Sequence, residues 1–182
     1  MRKALFLIAC LSFLSFSPVK LVKTKMTDEI TALVPKNFRP MDDIDFSQRY
    51  PSVRRPLAAY TNEAREVDFS VNISATQWPD GDIEIAKEFF KSGVLNMFDG
   101  VDIIEEGIYT LRGKKFVFFE FESRVKGERN KVELRDPVLG YTYIQYLIEP
   151  GRTLVFSFNC PRRMREEWQE TARKMMKSVK VK

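Results

Sequence analysis

The sequence predicts an α+β fold, an α/β/α sandwich with helices on both sides of a mostly antiparallel sheet. Three observations predict it. Val67, Phe69, Val71, Ile73 and Ala75 alternate with polar residues, the period-two signature of a strand with one buried face. The runs 115–124 and 141–160 are apolar on both faces, as expected of central strands covered from both sides. Two further segments, one mid-chain and one terminal, repeat apolar residues every three or four positions. The 182 residues suit one domain of the usual ~100–200.

The elements follow in order. Arg2 and Lys3 precede the apolar run Ala4–Phe16, which has the about 7–15 residues of an export signal and falls short of the about 18 that span a bilayer. The reading is a signal peptide over 1–17, a basic tether over 18–26 carrying lysines 20, 23 and 25, and a single domain over 27–182. Leu7-Ile8-Ala9-Cys10 also has the form of a bacterial lipobox, which would make Cys10 a lipid-bearing N-terminus. Without Arg2 and Lys3 the formal charge falls from +5 to +3, so the domain is mildly basic.

Thr24–Pro40 reads as a first strand leading into a turn. Asp42, Asp43 and Asp45 then place acidic groups at the positive end of a short helix, which Tyr50-Pro51 ends. Leu57–Tyr60 is a short strand, Asn62–Arg65 a turn and Val67–Thr76 the alternating strand, broken at Trp78–Asp82. Asp82 caps a helix to about Asp99, with Ile83, Ala86, Phe89, Phe90, Leu95, Met97 and Phe98 as its apolar positions. Strands 101–111 and 115–124 flank the turn Arg112-Gly113-Lys114, and 127–137 is an exposed loop or irregular hairpin. Strands 141–148 and 153–160 flank Glu149-Pro150-Gly151-Arg152, where Pro fixes φ and Gly accepts a positive φ. Pro161 opens the last helix, with Met164, Trp168, Ala172 and Met175/Met176 inward, and Val179 and Val181 add a terminal strand.

The chain contains no histidine, which removes Ser-His-Asp and Cys-His activation and any imidazole metal site. Two cysteines cannot build a four-sulfur metal site, and Cys160, on an apolar strand face, reads as a small buried hydrophobe. Asp42, Asp43 and Asp45 lack the sixth-position Gly and twelfth-position Glu of a calcium loop and read as a helix start. Glu120 and Glu122 share a strand face with Phe116 and Phe118. A carboxylate pair can supply acid and base. The expected reading is that the strand runs out into solvent there. No catalytic residue, cofactor site or metal site is assigned.

Arg49-Tyr50-Pro51-Ser52-Val53-Arg54-Arg55-Pro56 joins an aromatic and three arginines in a proline-stiffened segment. Arg49, Tyr50, Arg54, Arg55 and Trp78 are the expected partner-binding edge. Arg162, Arg163, Arg165, Arg173 and the last lysines alternate with Glu166, Glu167 and Glu170, the pattern of a solvated helix face rather than a nucleic-acid surface.

This element order, with Val34-Pro35-Lys36-Asn37-Phe38 after the first strand, resembles the PsbP-like fold shared with the Ran-binding Mog proteins and bacterial DcrB-like exported proteins. Glu106-Gly107, Gly113-Lys114-Lys115, Tyr141–Tyr146 and the helix from Pro161 carry the rest of the likeness, which spans about Thr24–Lys182. The resemblance implies an interaction module without a shared catalytic residue. The expectation is an exported, non-enzymatic domain of the periplasm or cell envelope that binds a protein partner, takes no nucleic acid, and meets a membrane only through a lipid on Cys10. The alternative is a small-ligand or lipid carrier with an apolar cavity between sheet and helix; a carboxylate hydrolase ranks last.

Overall fold

The computed structural model describes residues 19–50, 54–76, 78, 82–126, 129–130, 133–134 and 137–182. The signal segment and Cys10 lie outside the described residues. The order of elements is β1 (Leu21–Lys25), β2 (Ile30–Pro35), β3 (Arg39–Pro40), α1 (Asp43–Arg49), β4 (Ala58–Thr61), β5 (Asp68–Ile73) and α2 (Ile83–Met97). There follow β6 (Gly100–Leu111), β7 (Lys114–Val125), β8 (Arg129–Asn130), β9 (Glu133–Leu134), β10 (Val138–Glu149), β11 (Arg152–Pro161), α3 (Arg165–Ser178) and β12 (Lys180–Val181). A 3-10 turn over Arg162–Met164 leads into α3.

The expected class is what forms. A seven-stranded antiparallel sheet runs β3-β4-β5-β11-β10-β7-β6, and β1-β2-β12 make a separate three-stranded sheet. Part of the segment read as a basic tether is therefore structured. Leu21–Lys25 pairs along β2 from Leu21–Pro35 to Lys25–Thr31, because its backbone completes a ladder that its lysines leave untouched on the outside. The hairpin before β7 turns on Arg112 and Gly113, with φ of 51° and 79°, the positive pair a tight two-residue turn needs.

Two apolar clusters fill the two faces of the large sheet. On one face, Phe69, Val71, Phe116, Phe118, Tyr141, Tyr143, Phe156 and Phe158 meet Trp168, Ala172, Met175 and Met176 of α3 and Ile30, Ala32 and Val34 of β2. On the other, Val117, Phe119, Phe121 and Tyr146 meet Ala86, Phe90 and Val94 of α2, with Phe90 stacked on Tyr146 at 4.1 Å. The α2 side is the smaller core. Of its expected apolar positions, Phe89, Leu95 and Met97 are exposed, while Val94 takes the inward place beside Ala86 and Phe90. α2 lies over β6 and β7 and reaches β10 through Phe90, turning only a narrow stripe inward.

β5 also differs from its expected one-sided burial. Asp68 and Ser70 are as deeply buried as Phe69 and Val71, since Arg49 of α1 covers Asp68 and Ser70 bonds Ser157 of β11 at 3.0 Å.

Candidate functional site

The expected acid pair on β7 separates into two environments. Glu120 is not in solvent, contrary to the sequence expectation. Its side chain is 0% exposed, because α3 lies across that stretch of strand. Tyr141 Oη donates to Glu120 Oε1 at 3.0 Å, the Gln169 amide donates to the same oxygen, and Arg173 Nε donates to Oε2 at 2.9 Å. That bond raises the Arg173 pKa above its ordinary value. Glu120 is thus occupied on both oxygens in fastening α3 to the sheet.

Two residues on, Glu122 reaches the end of the same face. Its side chain is 13% exposed and takes Arg162 Nε at 2.7 Å and Arg165 at 2.9 Å. Here the guanidiniums are the outer layer: the Arg162 side chain is 52% exposed. Arg163, 64% exposed, pairs with Glu66. Glu122 and these arginines line a cleft of about 830 Å³ with Pro137, Leu139 and Pro161. A second cleft of about 620 Å³ lies on the α1 side, lined by Arg49, Arg65, Phe98, Val125 and Val138 among others. The clefts share Leu139, Pro161 and Arg163, so they meet over one end of the large sheet.

The same layering recurs in the second cleft. Arg49 donates to Asp68 at 2.6 Å, and Arg65 lies 3.1 Å from Asp45, each carboxylate buried beneath its arginine. Asp45 completes a capping box with Asp42 at the start of α1 and also takes Arg39 at 2.6 Å, which holds its pKa down at about 2. The aspartates read as a helix start serve as one. Burial raises the Asp68 pKa against the opposing pull of Arg49 and Asn159. Cys160 lines the second cleft but is itself buried, and burial pushes its thiol up to about 12, away from nucleophilic chemistry.

The expected binding edge is divided. Arg49 lines the second cleft, with Tyr50 half-buried beside Phe46. Arg55 pairs with Asp43 at 2.9 Å and lies 4.1 Å over the Phe46 ring, and Arg54 is exposed. Trp78 is not brought to this edge. It lies beyond the opposite end of β5, packed on Phe89 and Phe90 of α2.

Arg162, Arg163, Arg165, Val138 and Leu139 were not expected as site residues. One signal for them existed: three arginines at the start of a helix sit where its dipole disfavours cations. Their partners Glu66 and Glu122 lie far away in sequence, and only the fold brings them there.

Among the described residues no helix is long and apolar enough to cross a membrane, and no group of three or more His, Cys, Asp or Glu residues is placed to hold a metal. No known protein-family model and no curated protein matches the sequence. Solved structures do match over nearly the whole chain. The cyanobacterial PsbP (CyanoP) of Synechocystis sp. PCC 6803 matches with a TM-score of 0.59 at 13% identity, over 92% of this chain and 96% of its own. The Saccharomyces cerevisiae Ran-binding protein Mog1p matches at 0.57 and 14%, over 90% and 96%. LpqN of Mycobacterium tuberculosis, described as involved in cell envelope biogenesis, matches at 0.55 and 13%, over 91% and 92%. The chain has the PsbP/Mog-like fold.

Proposed function

We propose that this chain is an exported, non-enzymatic protein-interaction domain, an accessory or assembly factor of the bacterial cell envelope. The observation that carries the reading is the joined cleft, where exposed arginines are paired with carboxylates less exposed than themselves, beside an apolar rim. Arginine and apolar side chains together are the composition of protein contact surfaces. The fold supports it, since Mog1p is described as Ran-binding and LpqN as involved in envelope biogenesis. The leader Ala4–Phe16 supports export, and a lipid on Cys10 would hold the domain at a membrane. Arg49 joins the cleft, while Arg54 and Arg55 would form a separate contact at the outer side of α1.

The carrier reading has one observation in its favour. A groove of about 430 Å³ has the size of a ligand site, with Trp78, Ile83, Leu147 and Ile148 in its lining beside Lys114, Lys115 and Glu149. The interface between sheet and α3, by contrast, is filled by Trp168, Met175 and Met176.

The test is fractionation and co-purification of the full chain carrying a C-terminal tag, with mass spectrometry of its N-terminus. The expected product is shortened after Ser17, or begins at a lipid-modified Cys10, and co-purifies with an envelope protein. A full-length product in the cytosol would overturn the export reading. A partner retained by Arg54→Glu with Arg55→Glu removes the α1 contact.

A further inference from the structure

We infer that the join of the two clefts binds an extended acidic segment of a protein partner, one that carries apolar side chains between its carboxylates. This rests on the interaction reading above and names the chemistry of the partner. Three features of the site determine it.

The first is the order of the charges. Arg162 and Arg163 are more than half exposed, whereas Glu122 beneath Arg162 is 13% exposed and Glu66 beside Arg163 is 38% exposed, so at each pair an approaching chain meets more guanidinium than carboxylate. The pairings also leave donors over. Arg162 is bonded through Nε alone, and Arg163 through a single terminal nitrogen, among the described residues. The remaining N–H groups of each fork suit a second carboxylate. Because Glu122 and Glu66 already hold the two side chains, a ligand has less side-chain entropy to remove on binding.

The second feature is the rim. Val138 is 67% exposed and Leu139 is next to it, at the start of β10, where Val138 pairs with Val125, itself exposed. Pro137 and Pro161 extend the apolar surface on the α3 side. Exposed apolar residues beside a cationic layer call for a ligand that is both acidic and apolar. The third feature is shape. The clefts join over the end of the sheet with arginines and apolar residues in one lining, and an extended strand, whose alternate side chains point to opposite sides, can offer carboxylates to the first and apolar groups to the second.

A polyphosphate ligand fits poorly. Glu66, Glu122 and Glu166 line the same clefts as the arginines and would repel a dense run of phosphates, while a spaced set of carboxylates can bypass them.

The probe is a capped, fluorescein-labelled peptide of alternating Asp and Leu, titrated by fluorescence anisotropy into the full chain as the cell processes it. Lys-Leu and Asp-Gly peptides are the controls. The Asp-Leu peptide is expected to bind at least about tenfold more tightly than either control. Its affinity is expected to fall as salt rises from about 0.01 to about 0.1 M, where the screening length drops from about 30 to about 10 Å. Arg162→Gln with Arg163→Gln is expected to weaken it by about tenfold, and Val138→Ser with Leu139→Ser by a similar factor, with near-ultraviolet circular dichroism unchanged. Equal binding of the Lys-Leu or Asp-Gly peptide would overturn the proposal, as would wild-type affinity in both folded double variants. An envelope partner that survives Arg162→Gln with Arg163→Gln would also overturn this assignment while leaving the interaction reading standing. Absence of any envelope partner would count against the interaction reading itself, with peptide binding still deciding the cleft.

Discussion

Glu120 and Glu122 are the same residue type on the same face of β7, two positions apart, and they do opposite things. Glu120 lies fully buried under α3, beneath an Arg173 that is itself 31% exposed, whereas Glu122 lies where α3 begins, 13% exposed beneath an Arg162 that is 52% exposed. The inner one converts a polar contact into attachment of a helix. The outer one positions cations without enclosing them, which leaves them available to a ligand. Depth along one strand separates a structural carboxylate from one that organises a surface.

The largest difference should appear in stability. Glu120→Ala strands Arg173, Gln169 and the Tyr141 hydroxyl around an empty site and is expected to cost about 3 kcal/mol, read as a lowered urea midpoint. A cost no larger than that of Glu122→Ala would break the comparison.

Asp45 sharpens it as an intermediate case, buried itself but roofed by Arg39 and Arg65, which are partly exposed. Asp45→Ala is expected to cost about 2 kcal/mol through its charged hydrogen bonds and its cap. Its pH dependence has a definite sign. The folded carboxyl is held down at about 2 by Arg39 against an unfolded value of about 3.9, so its contribution is complete above about pH 4 and is lost as pH falls through about 2. Thermal melts between about pH 1 and about pH 5, about one unit either side of the two values, should therefore show a shallower acid loss in Asp45→Asn than in the native chain.

The smallest effect is expected at Glu122. Its partners are substantially exposed, so Glu122→Ala should cost less than about 1 kcal/mol. A loss equal to that at Glu120 would mean that the cleft arginines hold the fold together rather than present a surface.

The strands and helices were largely legible because their signals are local. The alternation from Val67, the turn at Pro150-Gly151 and the spacing of Trp168, Ala172 and Met175/Met176 each state their element without reference to distant residues. The site was not legible for the converse reason. Arg162 and Arg165 read as a solvated helix start because their partner, Glu122, is forty residues or more away and had itself been read as emerging into water. Trp78 joins Arg49 only if the strand that ends at Trp78 adjoins the arginine segment, and β5 instead carries the two to opposite ends of the sheet. The first strand was obscured by its lysines, which face outward while the backbone pairs with β2.

The central claim is that the arginine-faced end of the sheet is the contact surface. The most direct measurement is a two-dimensional ¹H–¹⁵N NMR titration of the processed full chain with the Asp-Leu peptide. Shifts concentrated at Val138–Gly140, Arg162–Gln169, Arg49 and Arg65 are the predicted result. Shifts centred on α2 and Trp78, with the Arg162–Gln169 amides unmoved, would contradict it.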